Sequence, residues 1–124
     1  MQENVNILIL DDEPIVGKRL QQALRKNGHH VEIFTSGIEA MKRLVEKKFD
    51  IVVTDIRMDE IDGIEVMTRV MKLYPSTKVI IITGYATIET AREALAKGAF
   101  DFIAKPFRPN DLRTIIEKAI KAKH

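Results

Sequence analysis

Val5-Asn6-Ile7-Leu8-Ile9-Leu10-Asp11-Asp12-Glu13-Pro14 is a short apolar run that breaks into three carboxylates and a proline. The run is near-continuous rather than alternating, as strands buried on both faces are. Three more runs share its design: Ile51–Thr54 leads into Asp55, Val79–Ile82 into Thr83, and Phe100–Ala104 into Lys105. As parallel strands, their carboxyl ends all meet at one edge of the sheet, which is where open α/β folds bind ligands. Carboxylates, a hydroxyl and an ammonium in one crevice describe a site for a divalent cation and a phosphoryl group.

Between the runs lie stretches with helical periodicity. Val16, Leu20, Ala23 and Leu24 mark the first, behind Pro14, which a first turn tolerates. Ile38, Met41, Leu44 and Val45 mark the second, with Ser36 and Glu39 spaced as a capping box. Ile64, Met67, Val70 and Met71 form the third stripe, which ends before Pro75. Ile88, Ala91, Ala94 and Leu95 form the fourth, with Gly98 placed as its C-cap. Leu112, Ile115, Ile116, Ala119 and Ile120 give the fifth, and His30–Phe34 supplies one further strand. Strand and helix thus alternate five times, which calls for a parallel sheet with right-handed crossovers and helices on both faces. No linker or repeat interrupts the pattern, so residues 1–124 are read as one domain.

Composition narrows the function. A chain of 124 residues with 45% hydrophobic content can bury a sizeable core. The absence of cysteine excludes disulfides and thiolate metal sites. A net charge of +2, with basic residues interspersed among acids outside the Lys118–His124 tail, gives no case for nucleic-acid binding. No apolar run reaches membrane-spanning length and no signal-peptide pattern opens the chain, so a soluble, cytoplasmic protein is expected.

Asp11, Asp12 and Asp55 brought close together repel one another, and a cation keeps them ionised. Oxygen-only donors with few carboxylates suit Mg²⁺ better than a Ca²⁺ cage, and Mn²⁺ could substitute. Lys105 would serve as a point charge for phosphate, or as a counter-ion for the acids when phosphate is absent. Lys105-Pro106 is the bond type that adopts cis at low cost. Each element has a bland alternative. The acidic run could merely cap the first helix, Asp55 could be a loop acid, Thr83 could simply close a strand, and Lys105 could lie on the surface. His29, His30 and His124 sit in a turn and a tail, without neighbours suggesting phosphotransfer or zinc.

Taken together, Leu10-Asp11-Asp12-Glu13-Pro14, Val53-Thr54-Asp55-Ile56-Arg57-Met58 through Asp62-Gly63, Thr83-Gly84-Tyr85 and Lys105-Pro106-Phe107 resemble the receiver domains of two-component response regulators. The resemblance covers essentially the whole chain, and the spacings of 28 (Asp55 to Thr83) and 22 (Thr83 to Lys105) fit it. It implies a doubly wound, flavodoxin-like five-stranded parallel sheet in the order 2-1-3-4-5 with five helices. A member of this family is itself a standard example of that topology, with its crevice between the first and third strands. It also implies that Asp55 accepts a phosphoryl group from a sensor histidine kinase or phosphotransfer protein. Asp12 would ligate Mg²⁺ directly, Asp11 through water, and the Arg57 carbonyl would complete the set. Thr83 and Lys105 would assist transfer, Thr83 and Phe102 would act as the switch, and the face of the fourth helix, fifth strand and fifth helix would carry the output. Such a domain assists its own phosphorylation and dephosphorylation but is a switch, not a turnover enzyme. It would act on an output domain or a downstream protein, with no nucleic-acid or membrane binding of its own, and it could dimerise on phosphorylation.

Details refine the resemblance. Asp59 stands where the family usually has proline, which bears on the loop after Asp55. Arg57 and Tyr85, each two residues beyond a site residue, are placed to screen the attacking water. Arg57→Ala and Tyr85→Ala are therefore expected to change the dephosphorylation rate, read from decay of the phosphorylated protein; unchanged decay would remove both from that role. Ile115 and Ala119 occupy places where winged-helix-type regulators carry basic residues for dimer salt bridges. Thr83-Gly84-Tyr85-Ala86 and Gly98–Phe102 look more like receivers of ATPase-type transcription activators. With no output domain in the sequence, a stand-alone relay protein or a module of a longer regulator is expected. Two rivals fit less well. A flavodoxin-like nucleotide binder needs a phosphate-cradling loop where Asp11-Asp12-Glu13 stands, and a haloacid-dehalogenase-type phosphatase needs a second Asp at the place of Arg57. The serious alternative is a receiver-like interaction module that takes no phosphate.

Overall fold

The computed structural model describes residues 4–57, 61–84 and 88–122. Its strands are β1 (Asn6–Leu10), β2 (His30–Phe34), β3 (Ile51–Asp55), β4 (Lys78–Thr83) and β5 (Asp101–Ala104). Its helices are α1 (Pro14–Arg25), α2 (Gly37–Glu46), α3 (Gly63–Leu73), α4 (Ile88–Ala96) and α5 (Pro109–Lys121). All neighbouring strands are parallel and the sheet order is β2-β1-β3-β4-β5, the order expected. Five strand ends differ from the apolar runs, two of them in β4, which starts at Lys78 and continues through Thr83. Val5 and Phe100 fall outside β1 and β5, while β3 extends through Asp55.

Alternation within each buried strand feeds two cores. Ile7, Ile9, Ile51, Val53, Ile80 and Ile82 face one side, together with Leu20 and Leu24 of α1 and Leu112 and Ile116 of α5. Leu8, Leu10, Val52, Val79 and Ile81 face the other, together with Leu44 of α2, Val66 and Val70 of α3 and Ala94 of α4. That is why the central strands read as continuous apolar runs: each successive residue meets a helical layer on one face or the other.

The helical stripes need correction at α2 and α4. In α2 the inward residues are Gly37, Ala40 and Leu44, whereas Ile38 and Val45 are exposed; in α4 Leu95 is exposed and Ala91 and Ala94 are buried. Leu44, Ala91 and Ala94 are buried as the stripes predict and Met41 packs partly against the core, so the correction is confined to Ile38, Val45 and Leu95 at the stripe margins. The caps are local. Ser36 Oγ accepts the Glu39 N–H at 3.3 Å, and Asp62 Oδ1 accepts the Glu65 N–H at 2.8 Å. Gly98 follows α4 at φ +117°, a conformation that favours glycine.

His29 pins the end of the sheet opposite the carboxyl edge. It is buried, and its Nδ1 accepts the Val5 N–H at 3.2 Å, which requires a neutral ring with the proton on Nε2. Burial pulls its pKa below the ordinary value; Glu117 opposes this and His30 reinforces it. A depressed folded pKa means that the unfolded chain takes the proton first. The stability His29 contributes is therefore complete above about pH 6.5, the unfolded value, and is lost as pH falls below it. Urea midpoints between pH 7 and pH 5 are expected to fall less for His29→Asn, whose Oδ1 remains an acceptor, than for the wild type. Equal slopes would show that the imidazole is not the titrating group.

Candidate functional site

Four strands deliver the site. β1 and β3 are hydrogen-bonded neighbours, with Leu10 paired to Thr54, so the residues that follow them emerge side by side. Asp11 prolongs the ladder through its N–H to the Phe34 carbonyl at 3.0 Å. Thr83 pairs with Ala104 at the ends of β4 and β5, and the Lys105 N–H donates to the Thr83 carbonyl at 2.7 Å. The expected residues thus share one edge.

Asp11 is buried. Its Oδ1 accepts the Glu13 N–H at 2.8 Å, while Oδ2 is buried without a hydrogen-bond partner. Asp55 is also buried; Oδ1 accepts the Arg57 N–H at 3.2 Å and Oδ2 accepts from Lys105 Nζ at 3.0 Å. Asp12 is exposed beside them. Each of the three aspartates offers an oxygen within 4.8 Å of the others. Lys105 Nζ reaches across the group, 2.8 Å from Glu13 Oε1 and 3.3 Å from Asp11 Oδ2. A crevice of about 460 Å³, lined by Asp55, Arg57, Gly84, Lys105 and Glu13 among others, opens above them.

Electrostatics follow from this packing. Burial raises the Asp11 pKa and Asp55 adds to the rise; the Glu13 N–H and Lys105 oppose both without cancelling them. Burial acts to lower the Lys105 pKa, but hydrogen bonds to Glu13 and Asp55 and the charges of Asp55 and Asp11 outweigh it, so the ammonium is held above its ordinary value. The hydrogen bond to Lys105 lowers the pKa of the exposed Glu13 carboxyl. Among the described residues Lys105 is thus the cation fixed against several acids, and Asp11 Oδ2, ion-paired with it at 3.3 Å but without a hydrogen-bond partner, marks where positive charge is still short. Three clustered carboxylates with only oxygen donors fit a hard divalent ion that keeps much of its water, which is the preference of Mg²⁺.

The remaining expected residues are placed as follows. Thr83 is buried, and its hydroxyl donates to the Gly84 carbonyl at 2.8 Å. Arg57 is exposed. Phe102 is half-buried, opposite Ile81, against the core cluster shared with α3 and α4. The Lys105–Pro106 peptide is cis. Tyr85 and Asp59 lie outside the described residues.

Two contributors were not assigned a role from sequence. Glu13 holds Lys105 from the solvent side, a partnership that two residues 92 positions apart do not reveal. Gly63 opens α3 directly against the β3 backbone; a Cβ there would stand 2.3 Å from the Asp55 carbonyl oxygen. The Asp62-Gly63 pair was a visible signal, but the close approach behind it was not.

Comparison with known proteins agrees with this geometry. Over 122 residues the chain is 38% identical to the transcriptional regulatory protein ZraR of Escherichia coli strain K12, covering 98% of this chain and 28% of that protein. The chain thus spans little more than a quarter of the curated relatives it matches. A response regulator receiver domain protein from Clostridium thermocellum superposes with a TM-score of 0.89 at 31% identity, covering 95% of both chains. NtrX from Brucella abortus, crystallised with ADP, gives 0.92 at 28% identity over 98% of this chain and 28% of that one. A transcriptional regulator and a nucleotide-bound regulator among the relatives accord with the resemblance to receivers of ATPase-type transcription activators. Residues 7–117 match the family model described as the response regulator receiver domain, and the chain belongs to that family of two-component signalling proteins.

Proposed function

We propose that this domain takes up a phosphoryl group on Asp55, from a phosphohistidine of a sensor kinase or phosphotransfer protein, in a Mg²⁺-dependent reaction. The observation that carries the reading is the convergence of Asp11, Asp12, Asp55 and Lys105 at one sheet edge, where the buried Asp11 Oδ2 has the Lys105 ammonium at 3.3 Å but no hydrogen-bond partner. Asp12, Asp55 and the Arg57 carbonyl would hold the ion directly, and Asp11 would hold it through water. When bound, the ion neutralises the carboxylates and the phosphoryl oxygens that meet them.

The chain's own residues then do the following. An Asp55 carboxylate oxygen forms a bond to phosphorus as the P–N bond to the donor imidazole breaks in line. The Arg57 N–H, already on Oδ1, and Lys105 Nζ, already on Oδ2, fix the orientation of the carboxylate before transfer. Lys105 moves with the charge, from carboxylate to phosphoryl oxygen, and its support is mainly electrostatic. Thr83 releases the Gly84 carbonyl and donates its hydroxyl to another phosphoryl oxygen. The space it vacates lets Phe102 turn inward, and the α4-β5-α5 face passes the change to an output domain or a downstream protein. Hydrolysis by an in-line water, screened by Arg57 and Tyr85, resets the switch. The domain therefore works as a switch rather than a turnover enzyme.

The test is ³¹P NMR of the protein with phosphoramidate. An acyl-phosphate resonance that grows with Mg²⁺ and is absent in EDTA is expected. No resonance under either condition, and none with a panel of phosphorylated kinases, would leave a phosphate-independent interaction module.

A further inference from the structure

Five large apolar side chains stand exposed among the described residues, and three of them, Ile38 (51%), Val45 (68%) and Leu73 (46%), line one groove. The groove lies between α2 and α3, holds about 540 Å³, and is completed by Met41 and Ile61. Among the described residues its charged lining is uniform: Lys42, Arg69 and Lys72 border it, and no described carboxylate does. Glu39 and Glu65 approach Lys42 and Arg69 at 3.9 and 2.8 Å through exposed pairs worth little, and Lys72 forms no ion pair among the described residues. The fold does not need these side chains outside. α2 already seals the core with Gly37, Ala40 and Leu44, and α3 with Val66, Met67 and Val70.

From this pairing of an apolar lining with a border whose described charged residues are Lys42, Arg69 and Lys72, we infer that the α2–α3 groove docks an amphipathic helix of a partner protein, its apolar stripe flanked by Asp and Glu. Helices that lie in apolar grooves place residues i, i+3 or i+4, and i+7 inward. α2, at 10 residues, is about 15 Å long, so two to three turns of partner helix would span the groove. The charges decide against a second copy of the chain, because a self-paired groove would set Lys42, Arg69 and Lys72 against their own kind. The groove is separate from the phosphoacceptor crevice and shares no lining residue with it, so the inference does not depend on Asp55 chemistry.

A displayed library of helix-forming peptides about 12 residues long (two to three turns plus flanks) is selected on the wild-type protein. Selected peptides are then measured by fluorescence anisotropy. Enrichment of amphipathic sequences with acidic flanks is expected, with affinity lowered at least about tenfold (1.4 kcal/mol) by Val45→Glu and by Lys72→Glu, and unchanged by Ile15→Glu. Val45, Lys72 and Ile15 are all exposed, so each variant should melt as the wild type does. Enrichment of basic or uncharged peptides, or of none, would overturn the inference. So would binding indifferent to Val45→Glu, or Val45-dependent sedimentation with anionic phosphatidylglycerol vesicles, which would make the groove a lipid contact.

Discussion

Gly63→Ala is expected to cost about 1–3 kcal/mol of stability and to impair phosphoryl uptake, although position 63 bears no functional group. The new Cβ would lie 2.3 Å from the Asp55 carbonyl oxygen and 2.9 Å from Ile56 Cα. Neither atom can swing aside. The Ile56 N–H is bonded to the Ile82 carbonyl at 3.0 Å, and the Gly63 N–H to the Ile56 carbonyl at 2.9 Å. Relief has to come from moving the start of α3 or the end of β3, and the latter carries Asp55. Two controls isolate the cause. At Gly37 the added carbon would press on a side chain, the Ile61 Cγ2 methyl, rather than on backbone, and at Gly84 it would meet nothing within 4 Å. Urea melts should therefore rank Gly63→Ala well below Gly37→Ala, with Gly84→Ala near the wild type. A Gly63→Ala melt that matches Gly84→Ala would contradict the close approach.

Lys105→Met should slow phosphoryl uptake by about 10²–10³-fold, the scale on which one preorganised donor to developing charge acts. It should also change how stability depends on pH when no divalent ion is present. In the wild type the ammonium lies 3.0 Å from Asp55 and 3.3 Å from Asp11. With methionine there, the two buried carboxylates face each other without a cation, and the already raised Asp11 pKa rises further. A carboxyl whose folded pKa exceeds its unfolded value favours the folded state at low pH, and that advantage is lost as pH rises through the folded pKa. Urea midpoints of Lys105→Met in EDTA should thus fall from pH 5 to pH 8 more steeply than those of the wild type, and Mg²⁺ should restore much of the difference. Uptake at the wild-type rate, or parallel pH profiles, would show that Lys105 is not the counter-ion of the cluster.

How much of this was legible beforehand depended on distance along the chain. The sheet was readable because Ile7–Leu10, Ile51–Val53 and Val79–Ile82 are buried on both faces, and burial on both faces writes itself as a continuous apolar run. The site was readable because a parallel sheet sends every strand end to one edge, so Asp11, Asp55, Thr83 and Lys105 could be brought together without knowing any side-chain contact. What failed was the placement of Ile38, Val45 and Leu95, while Leu44, Ala91 and Ala94 of the same stripes are buried. Gly37 lies beneath Ile61, and Ala40 and Leu44 share the core of Leu8 and Leu10, whereas periodicity weighted by large residues assigns Ile38 and Val45 to the core as well. The Glu13–Lys105 contact and the Gly63–Asp55 approach were hidden for a different reason. Both are meetings of one or two atoms across separate elements, and composition and spacing carry no record of them.

Intact mass after incubation with acetyl phosphate and Mg²⁺, for the wild type, Asp55→Asn and Asp12→Ala, tests the phosphoacceptor most directly. Asn keeps the shape of Asp55 and removes its nucleophilic charge, while Asp12→Ala removes an exposed carboxylate on which no core packing depends. One phosphoryl adduct on the wild type, none on Asp55→Asn and a strongly diminished one on Asp12→Ala is the expected result. An adduct of wild-type abundance on Asp55→Asn would contradict Asp55 as the acceptor and require another nucleophile.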